Sequence, residues 1–114
     1  QNGSSVLTAD QKERLKKAMS SDKPVIIATQ AEAEGEEKGH EKATKTWTFK
    51  AANVRDFAFA TSRNFIWDAQ NQPIAGKNVL CMSFYPKEGN PLWERYSTKL
   101  VAHTVKTYSK YTID

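Results

Sequence analysis

The residues best suited to metal binding or proton transfer are the two histidines. His40 and Glu41 begin a sequence like the zinc-binding HExxH, in which two histidines one helical turn apart hold the same ion. Thr44 stands where the second histidine must be, so we do not expect zinc to bind here. His103 lies alone in a predicted helix, where a packed or half-exposed side chain is a more common role than a catalytic base.

Two aspartates and one cysteine are the other candidates for catalysis. Asp56 and Asp68 could act as paired carboxylates, but the nearby Arg55 and Arg63 favour structural ion pairs. Cys81 lies in the apolar run VLCMSFY, which favours a buried thiol over a nucleophile. The chain has no Gly-rich phosphate loop, no cysteine pair and no GxSxG motif. The sequence therefore assigns no catalytic, cofactor-binding or metal-binding residue.

The charge distribution argues against a nucleic-acid partner. The net charge of +4 comes entirely from residues 46–114, since residues 1–45 contain eight basic and eight acidic side chains. A nucleic-acid interface usually groups its basic residues beside exposed aromatic rings. Here the basic residues occur singly among apolar positions, namely Arg55, Arg63, Lys77, Lys99, Lys106 and Lys110. No apolar run approaches the ~18 residues of a membrane span, so a transmembrane segment is not expected either.

Helices are predicted at both ends of the chain. Thr8 and Gln11 fit a capping box at the start of a helix over 9–19. Asn90 followed by Pro91 predicts the start of a long amphipathic helix that ends near Tyr111. Its apolar residues recur at steps of three and four and form a wide, partly aromatic face that needs a partner surface, namely Leu92, Trp93, Tyr96, Leu100, Val101, Thr104, Tyr108 and Tyr111.

Strands are predicted between these helices. VIIAT at 25–29 is rich in β-branched residues, and the runs at 46–50, 54–60 and 65–68 alternate with a period of two. Breaks at 71–73 and 76–78 precede 78–85, which is apolar on both faces and therefore predicted to be the central strand. The alternation predicts a sheet core made of Phe57, Phe59, Phe65 and Trp67.

One segment between the first two predicted strands is poor in large apolar groups. Residues 30–45 are rich in Glu, Lys and Gly and predict an exposed excursion, with a short helix possible over 31–37. The expected fold is α+β, with an antiparallel sheet of four to five strands, a short N-terminal helix and a long C-terminal helix. The chain has three tryptophans, namely Trp47, Trp67 and Trp93. They could line a ligand pocket, but their spacing favours a role in the core.

Two long runs resemble a known enzyme family. TWTFKAANVRDFAFATSRNFIWDA and VLCMSFYPKEGNPLWERYSTKLVAHTVKTYSKYTID are similar to gluzincin zinc aminopeptidases, the alanyl-aminopeptidase-like metallopeptidases, and to bacterial members in particular. In that family a strand like VRDFAFA lies late in the N-terminal β-domain, and a helix like HTVKTYSKYT opens the thermolysin-like catalytic domain. The resemblance covers residues 25–114.

The resemblance implies that residues 1–114 are one partial N-terminal domain, with 90–111 as the helix that leads to an absent catalytic domain. The HExxH motif, its downstream glutamate, the Gly-x-Met-Glu-Asn motif and the transition-state tyrosine of the family would all follow Asp114. No catalytic or zinc-binding role therefore passes to this chain, which should be inactive alone. In the parent, zinc and a general-base glutamate would hydrolyse N-terminal residues from peptides, and the resemblance suggests a periplasmic or secreted location.

Two other functions remain open from the residues alone. One is a complete small α+β module that binds a ligand or peptide in an aromatic pocket. The other is a basic aromatic sheet that binds single-stranded nucleic acid. If the aromatic face of the last helix has no partner, we expect the chain to self-associate in a concentration-dependent manner.

Overall fold

The computed structural model describes residues 2–39 and 44–112, so His40 and Glu41 of the HExxH-like segment lie outside the described residues. The fold is α+β, as predicted, with a three-stranded antiparallel sheet. Its elements are α1 (Gly3–Val6), α2 (Ala9–Ala18), β1 (Val25–Ala28), α3 (Gln30–Lys38), β2 (Ile66–Ile74), β3 (Lys77–Tyr85), a 3-10 turn (Lys87–Gly89) and α4 (Leu92–Thr112).

Two capping boxes start α2 and α3. The predicted one is confirmed, since Thr8 Oγ1 accepts from the Gln11 N–H and the Gln11 side chain accepts from the Thr8 N–H, both at 3.2 Å. Thr29 and Glu32 form the same arrangement at the start of α3. Glu32 also accepts a 2.8 Å hydrogen bond from Arg14 of α2, and this guanidinium lowers the pKa of the Glu32 carboxyl. The short helix considered possible over 31–37 is therefore present as α3, which extends over nine residues.

The hairpin of β2 and β3 corrects the predicted strand order. Its register runs from Ile66 opposite Tyr85 to Ile74 opposite Lys77, without a break at 71–73. Ala75 and Gly76 both have positive φ, 47° and 75°, as a two-residue type I′ turn requires. β2 is the central strand, and β3, predicted to be central, lies at the edge. The sequence of β3 is apolar on both faces because its solvent-facing side chains, such as Met82 and Phe84, are also large and apolar.

Each face of the sheet is covered by a different helix. On one face α2 packs on β1 and β2, where Ala18, Ile27 and Ala69 form a buried cluster. On the other face Ala33, Ile66 and Tyr85 form a second buried cluster, and α4 packs across β2 and β3. The sheet is therefore the middle layer of the described fold, and the two small clusters are its core.

The segment 44–65 corrects the predicted number of strands and the predicted sheet core. It contains no helix or strand, and four of its five large aromatic side chains are exposed, including Phe57 at 64% and Phe59 at 78%. Trp47 and Phe49 stack on each other with ring centroids 6.3 Å apart. Alternation makes a strand only where a neighbouring strand accepts its backbone hydrogen bonds. Within the part of the chain that the structure describes, 44–65 has no such neighbour.

Only the C-terminal half of the predicted sheet core belongs to the sheet or its border. Trp67 lies in β2, where it is half-buried and stacks on Phe84 with centroids 5.3 Å apart. Phe65 is half-buried just before β2 begins. The alternating residues therefore have no paired strand before residue 66 and belong to a paired strand from residue 66 onward.

Replacing Phe57 or Phe59 by serine should change the free energy of unfolding by no more than about 0.5 kcal/mol, since exposed positions contribute little to folding. Urea denaturation followed by far-UV circular dichroism would measure the change. A loss of about 3 kcal/mol or more, which is typical of a buried phenylalanine, would place these rings in a core after all.

Candidate interaction surface and buried polar cluster

A buried carboxylate links the sheet to α4. Asp68 of β2 is 1% exposed, and its two oxygens accept hydrogen bonds from two hydroxyl groups. The Tyr85 hydroxyl donates to Oδ2 at 2.8 Å, and the Thr98 hydroxyl donates to Oδ1. Thr98 Oγ1 also lies 2.7 Å from Ser83 Oγ, which in turn lies 2.9 Å from Ser97 Oγ. This polar cluster fixes α4 to both β2 and β3.

The environment of Asp68 shifts two pKa values. Burial raises the pKa of the Asp68 carboxyl, and the hydrogen bonds from Thr98 and Tyr85 offset only part of that rise. Burial and the hydrogen bond to Asp68 also raise the pKa of the Tyr85 hydroxyl. Asp56, by contrast, lies in the exposed segment 44–65. The two aspartates have different environments and make no paired-carboxylate site.

The expected ion pairs with arginine are not those the structure shows. Within residues 2–39 and 44–112 the ion pairs are Arg14–Glu32 at 2.8 Å and Lys87–Glu37 at 3.2 Å. Arg63 instead donates to the Gly39 carbonyl at 3.4 Å. The hydrogen-bond partners of Asp68 are hydroxyl groups rather than a guanidinium.

The raised pKa of Asp68 predicts a pH-dependent stability. A carboxyl whose folded pKa lies above its unfolded value of about 3.9 stabilises the fold fully below that value and loses this contribution as pH rises through the folded pKa. Asp68→Asn does not titrate, so its unfolding free energy relative to the natural protein should rise with pH across that window and then level off. Urea denaturation of both proteins at several pH values tests this, and a pH-independent difference would contradict it.

An open cleft lies beside the polar cluster. Its volume is about 360 Å³, and its lining contains two lysines and two carboxylates, namely Lys23, Lys99, Asp68 and Glu94, with Pro24 and Ile26. The tryptophans predicted as possible pocket residues do not line it. Trp93 contacts the Tyr85 ring at a centroid distance of 5.9 Å, and Trp47 stacks on Phe49.

Cys81, His103 and Asn90 lie in different parts of the fold, and each has its own local contacts. Cys81 is 3% exposed in β3, and burial raises the pKa of its thiol, as suits a packed side chain. His103 is exposed on α4, where its Nε2 lies 3.5 Å from Thr107 Oγ1. Asn90 does not cap α4 as predicted, since the Pro91 carbonyl accepts the first helical bond, from the Arg95 N–H.

An exposed apolar surface runs along α4. The side chains of α4 that the fold buries are small, Thr98 and Ala102. Seven large apolar side chains of the helix are exposed by 37–75%, namely Leu92, Trp93, Tyr96, Leu100, Val101, Tyr108 and Tyr111. We call these seven residues the outer face. The sequence predicted these residues as one face of the helix that needs a partner, and in the structure they stay exposed although Trp93 contacts the Tyr85 ring of β3.

Three further observations concern metal groups, membrane spans and similarity to known proteins. Within residues 2–39 and 44–112, no group of three or more His, Cys, Asp or Glu side chains could hold a metal ion, and no helix is long and apolar enough to cross a membrane. Comparisons with models of protein families, with curated proteins and with solved structures found no match.

Proposed function

We propose that this chain is a non-catalytic part of a zinc aminopeptidase, and that the outer face of α4 contacts the catalytic domain of the same protein. The observation that carries the proposal is the exposure of seven large apolar side chains on a helix whose buried side chains are small. Large contiguous apolar patches usually mark a contact with another protein surface. The sequence runs that resemble the aminopeptidases supply the identity of that surface.

The energy available at the outer face supports a stable domain contact. Complete burial of one large apolar side chain contributes about 1.5–3 kcal/mol, although part of each side chain here is already buried. Several such side chains along one 21-residue helix would exceed the entropy cost of fixing two domains that share a chain. The exposed aromatic rings of segment 44–65 offer a second surface of the same kind.

The polar cluster gives α4 a fixed orientation on the sheet. Asp68 binds Thr98 of α4 directly, and Ser83 reaches Ser97 one residue earlier. Because these contacts are buried or half-buried, the helix is held against rotation about its own axis. The role proposed for this chain is therefore to present the outer face to the catalytic domain, while zinc and the peptide substrate belong to that domain.

The mass of the native protein tests the proposal. An antibody raised to this chain would be used to purify the natural protein from the source organism. We expect a polypeptide several times heavier than 12.9 kDa that releases the coloured product from alanine p-nitroanilide and loses that activity with a zinc chelator. A polypeptide near 12.9 kDa, or a heavier one without chelator-sensitive activity, would overturn the proposal.

The open cleft supports the alternative, a complete small binding module. Lysine and carboxylate side chains line a cavity of about 360 Å³, enough for a small polar ligand. A native mass near 12.9 kDa together with ligand-dependent shifts of the amide signals of Lys23 and Lys99 in nuclear magnetic resonance would favour this function.

A further inference from the structure

Four basic residues form a row along α4. Arg95, Lys99, Lys106 and Lys110 follow one another at steps of four, seven and four residues. At 3.6 residues per turn these positions fall within about 60° of one another on the helix surface. All four are exposed, and Glu94 is the single acidic residue of the helix. We call these four residues the basic row.

The basic row lies beside the outer face, on one flank only. By the same helical geometry its members fall between the buried Thr98 and Ala102 on one side and the apolar stripe through Leu100 on the other. The opposite flank of the stripe carries no lysine or arginine. A partner that covers the apolar stripe would therefore meet positive charge along one edge of the contact.

The charges of the basic row are not neutralised within the described fold. Neither ion pair formed by residues 2–39 and 44–112 includes a member of the row. Two members lie over aromatic rings instead, with Arg95 5.9 Å from the Tyr96 centroid and Lys110 5.4 Å from the Tyr111 centroid. Such contacts keep the cations beside the apolar stripe without cancelling their charge.

We propose that the outer face docks on a protein surface whose apolar groove is bordered along one side by Asp and Glu carboxylates that pair with the basic row. The inference rests on the proposed function, since it specifies the chemistry of the catalytic-domain surface that α4 would contact. Opposite charges at the edge of an interface fix its register, while the apolar centre supplies most of the affinity.

A second copy of this chain is a poor occupant. In an antiparallel two-fold pair of α4 helices, each basic row would lie beside the row of the other copy. Segment 44–65, another exposed apolar surface, has four basic residues and one acidic residue, so it also carries positive charge. The acidic helix α3 could supply carboxylates, but its sequence QAEAEGEEK has no large apolar side chain to cover the stripe.

A membrane surface is also disfavoured. A helix that lies in a lipid interface usually carries basic residues along both edges of its apolar face, because lipid headgroups surround it. The basic row occupies one edge, and the other edge carries the acidic Glu94 and no lysine or arginine. One-sided charge fits a partner with a defined edge.

Carbodiimide cross-linking of the native protein tests the pairing directly. The reagent joins a lysine amine to a carboxylate in direct contact, with loss of water, and mass spectrometry of the digest identifies the pair. We expect Lys99, Lys106 and Lys110 to be joined to Asp or Glu residues outside residues 1–114. The Lys87–Glu37 ion pair, 3.2 Å apart on the surface, is the internal control for the coupling reaction.

Charge reversal supplies the matched control. In the variant K99E/K106E, carried in the full native chain, coupling at Lys110 to outside carboxylates should fall at least tenfold. K12E/K16E, which reverses two exposed lysines one turn apart on α2, should leave it unchanged. Coupling at Lys87–Glu37 without coupling from the basic row would overturn the inference while leaving the aminopeptidase proposal standing, because that proposal depends on native mass and activity.

Two sedimentation experiments test the other possible occupants of the outer face, a second copy of the chain and a membrane surface. Sedimentation of this chain alone should show self-association that strengthens with added salt, because salt screens the repulsion between basic rows. Self-association that weakens with salt would mean that a second copy supplies the carboxylates and would overturn the inference. Co-sedimentation with vesicles of phosphatidylcholine and phosphatidylserine, lost in K99E/K106E, would overturn it in favour of a membrane surface.

Discussion

Replacing Tyr85 by alanine is expected to lower the free energy of unfolding by about 3–5 kcal/mol, the usual cost of removing a buried aromatic ring. Tyr85 is fully buried and packs with Ile66 and Ala33 in the cluster under α4. Its hydroxyl also donates to the buried Asp68 carboxylate. The substitution therefore opens a cavity and removes a hydrogen bond from a desolvated charge at the same time. Small domains have total stabilities of about 5–15 kcal/mol, so much of the variant would be unfolded.

Tyr85→Phe is the matched control, because it keeps the ring and removes only the hydroxyl. We expect a loss of about 1–3 kcal/mol, the cost of leaving one buried acceptor without its donor. Urea denaturation, followed by tryptophan fluorescence and circular dichroism together, would measure both variants. If Tyr85→Ala costs no more than Tyr85→Phe, the ring is not part of the core and the packing described for α4 is wrong.

Replacing Ile27 by alanine should cost about 2–5 kcal/mol on the opposite face of the sheet. Ile27 is fully buried, and the other buried members of its cluster are Ala18 and Ala69. Alanine side chains have no rotamers with which to fill the space left by the isoleucine. Only the partly buried side chains packed against the cluster can move into the cavity, and they set where in that range the loss falls: Leu15, Val25, Trp67 and Leu80.

Ile27→Val removes a single methylene group and should cost about 0.5–1.5 kcal/mol. The ratio of the two losses reports how far the site relaxes, since a site that collapses fully would lose little more than the transfer free energy of the removed atoms. Equal losses for the two variants, measured by thermal and urea denaturation, would show that Ile27 does not occupy the centre of this cluster.

The helices could be predicted because their signals are local. The capping box at Thr8 and the three-and-four spacing of α4 each depend on residues within a few turns, and both appear in the structure. The capping box at Thr29 is an equally local signal, and it begins α3 in a segment whose polar composition predicts only a possible short helix over 31–37. Two hydrogen bonds and the Arg14 ion pair order that helix although only Ala33 is buried.

The strands predicted at 46–50 and 54–60 were wrong because strand formation is not local. Alternation of aromatic and polar residues predicts which side chains would share a face of a strand. It does not predict whether another strand lies beside it. β2 was interrupted in the prediction at 71–73, yet its backbone pairs through Asn71 opposite Leu80. Pairing across the Ala75-Gly76 turn outweighed the low strand propensity of asparagine and proline.

The polar cluster could not be predicted from spacing. Asp68, Tyr85 and Thr98 are separated by 17 and 13 residues along the chain, and none of them belongs to a motif. Their contact depends on the hairpin register, which places Ser83 opposite Asp68, and on the face that α4 turns toward the sheet. The outer face could be predicted because it follows from the helical period. The helical period does not show which residues of α4 face the sheet.

Because Cys81 is buried, the rate at which its thiol is labelled can report opening motions of the fold. It is the one cysteine in the sequence, it is 3% exposed, and it lies opposite Gln70 in the middle of the hairpin. A thiol reagent can reach it only when β3 separates from its neighbours, so the labelling rate measures the population of that open state. Because β3 borders α4, covering the outer face should slow the labelling of a thiol that the partner never touches.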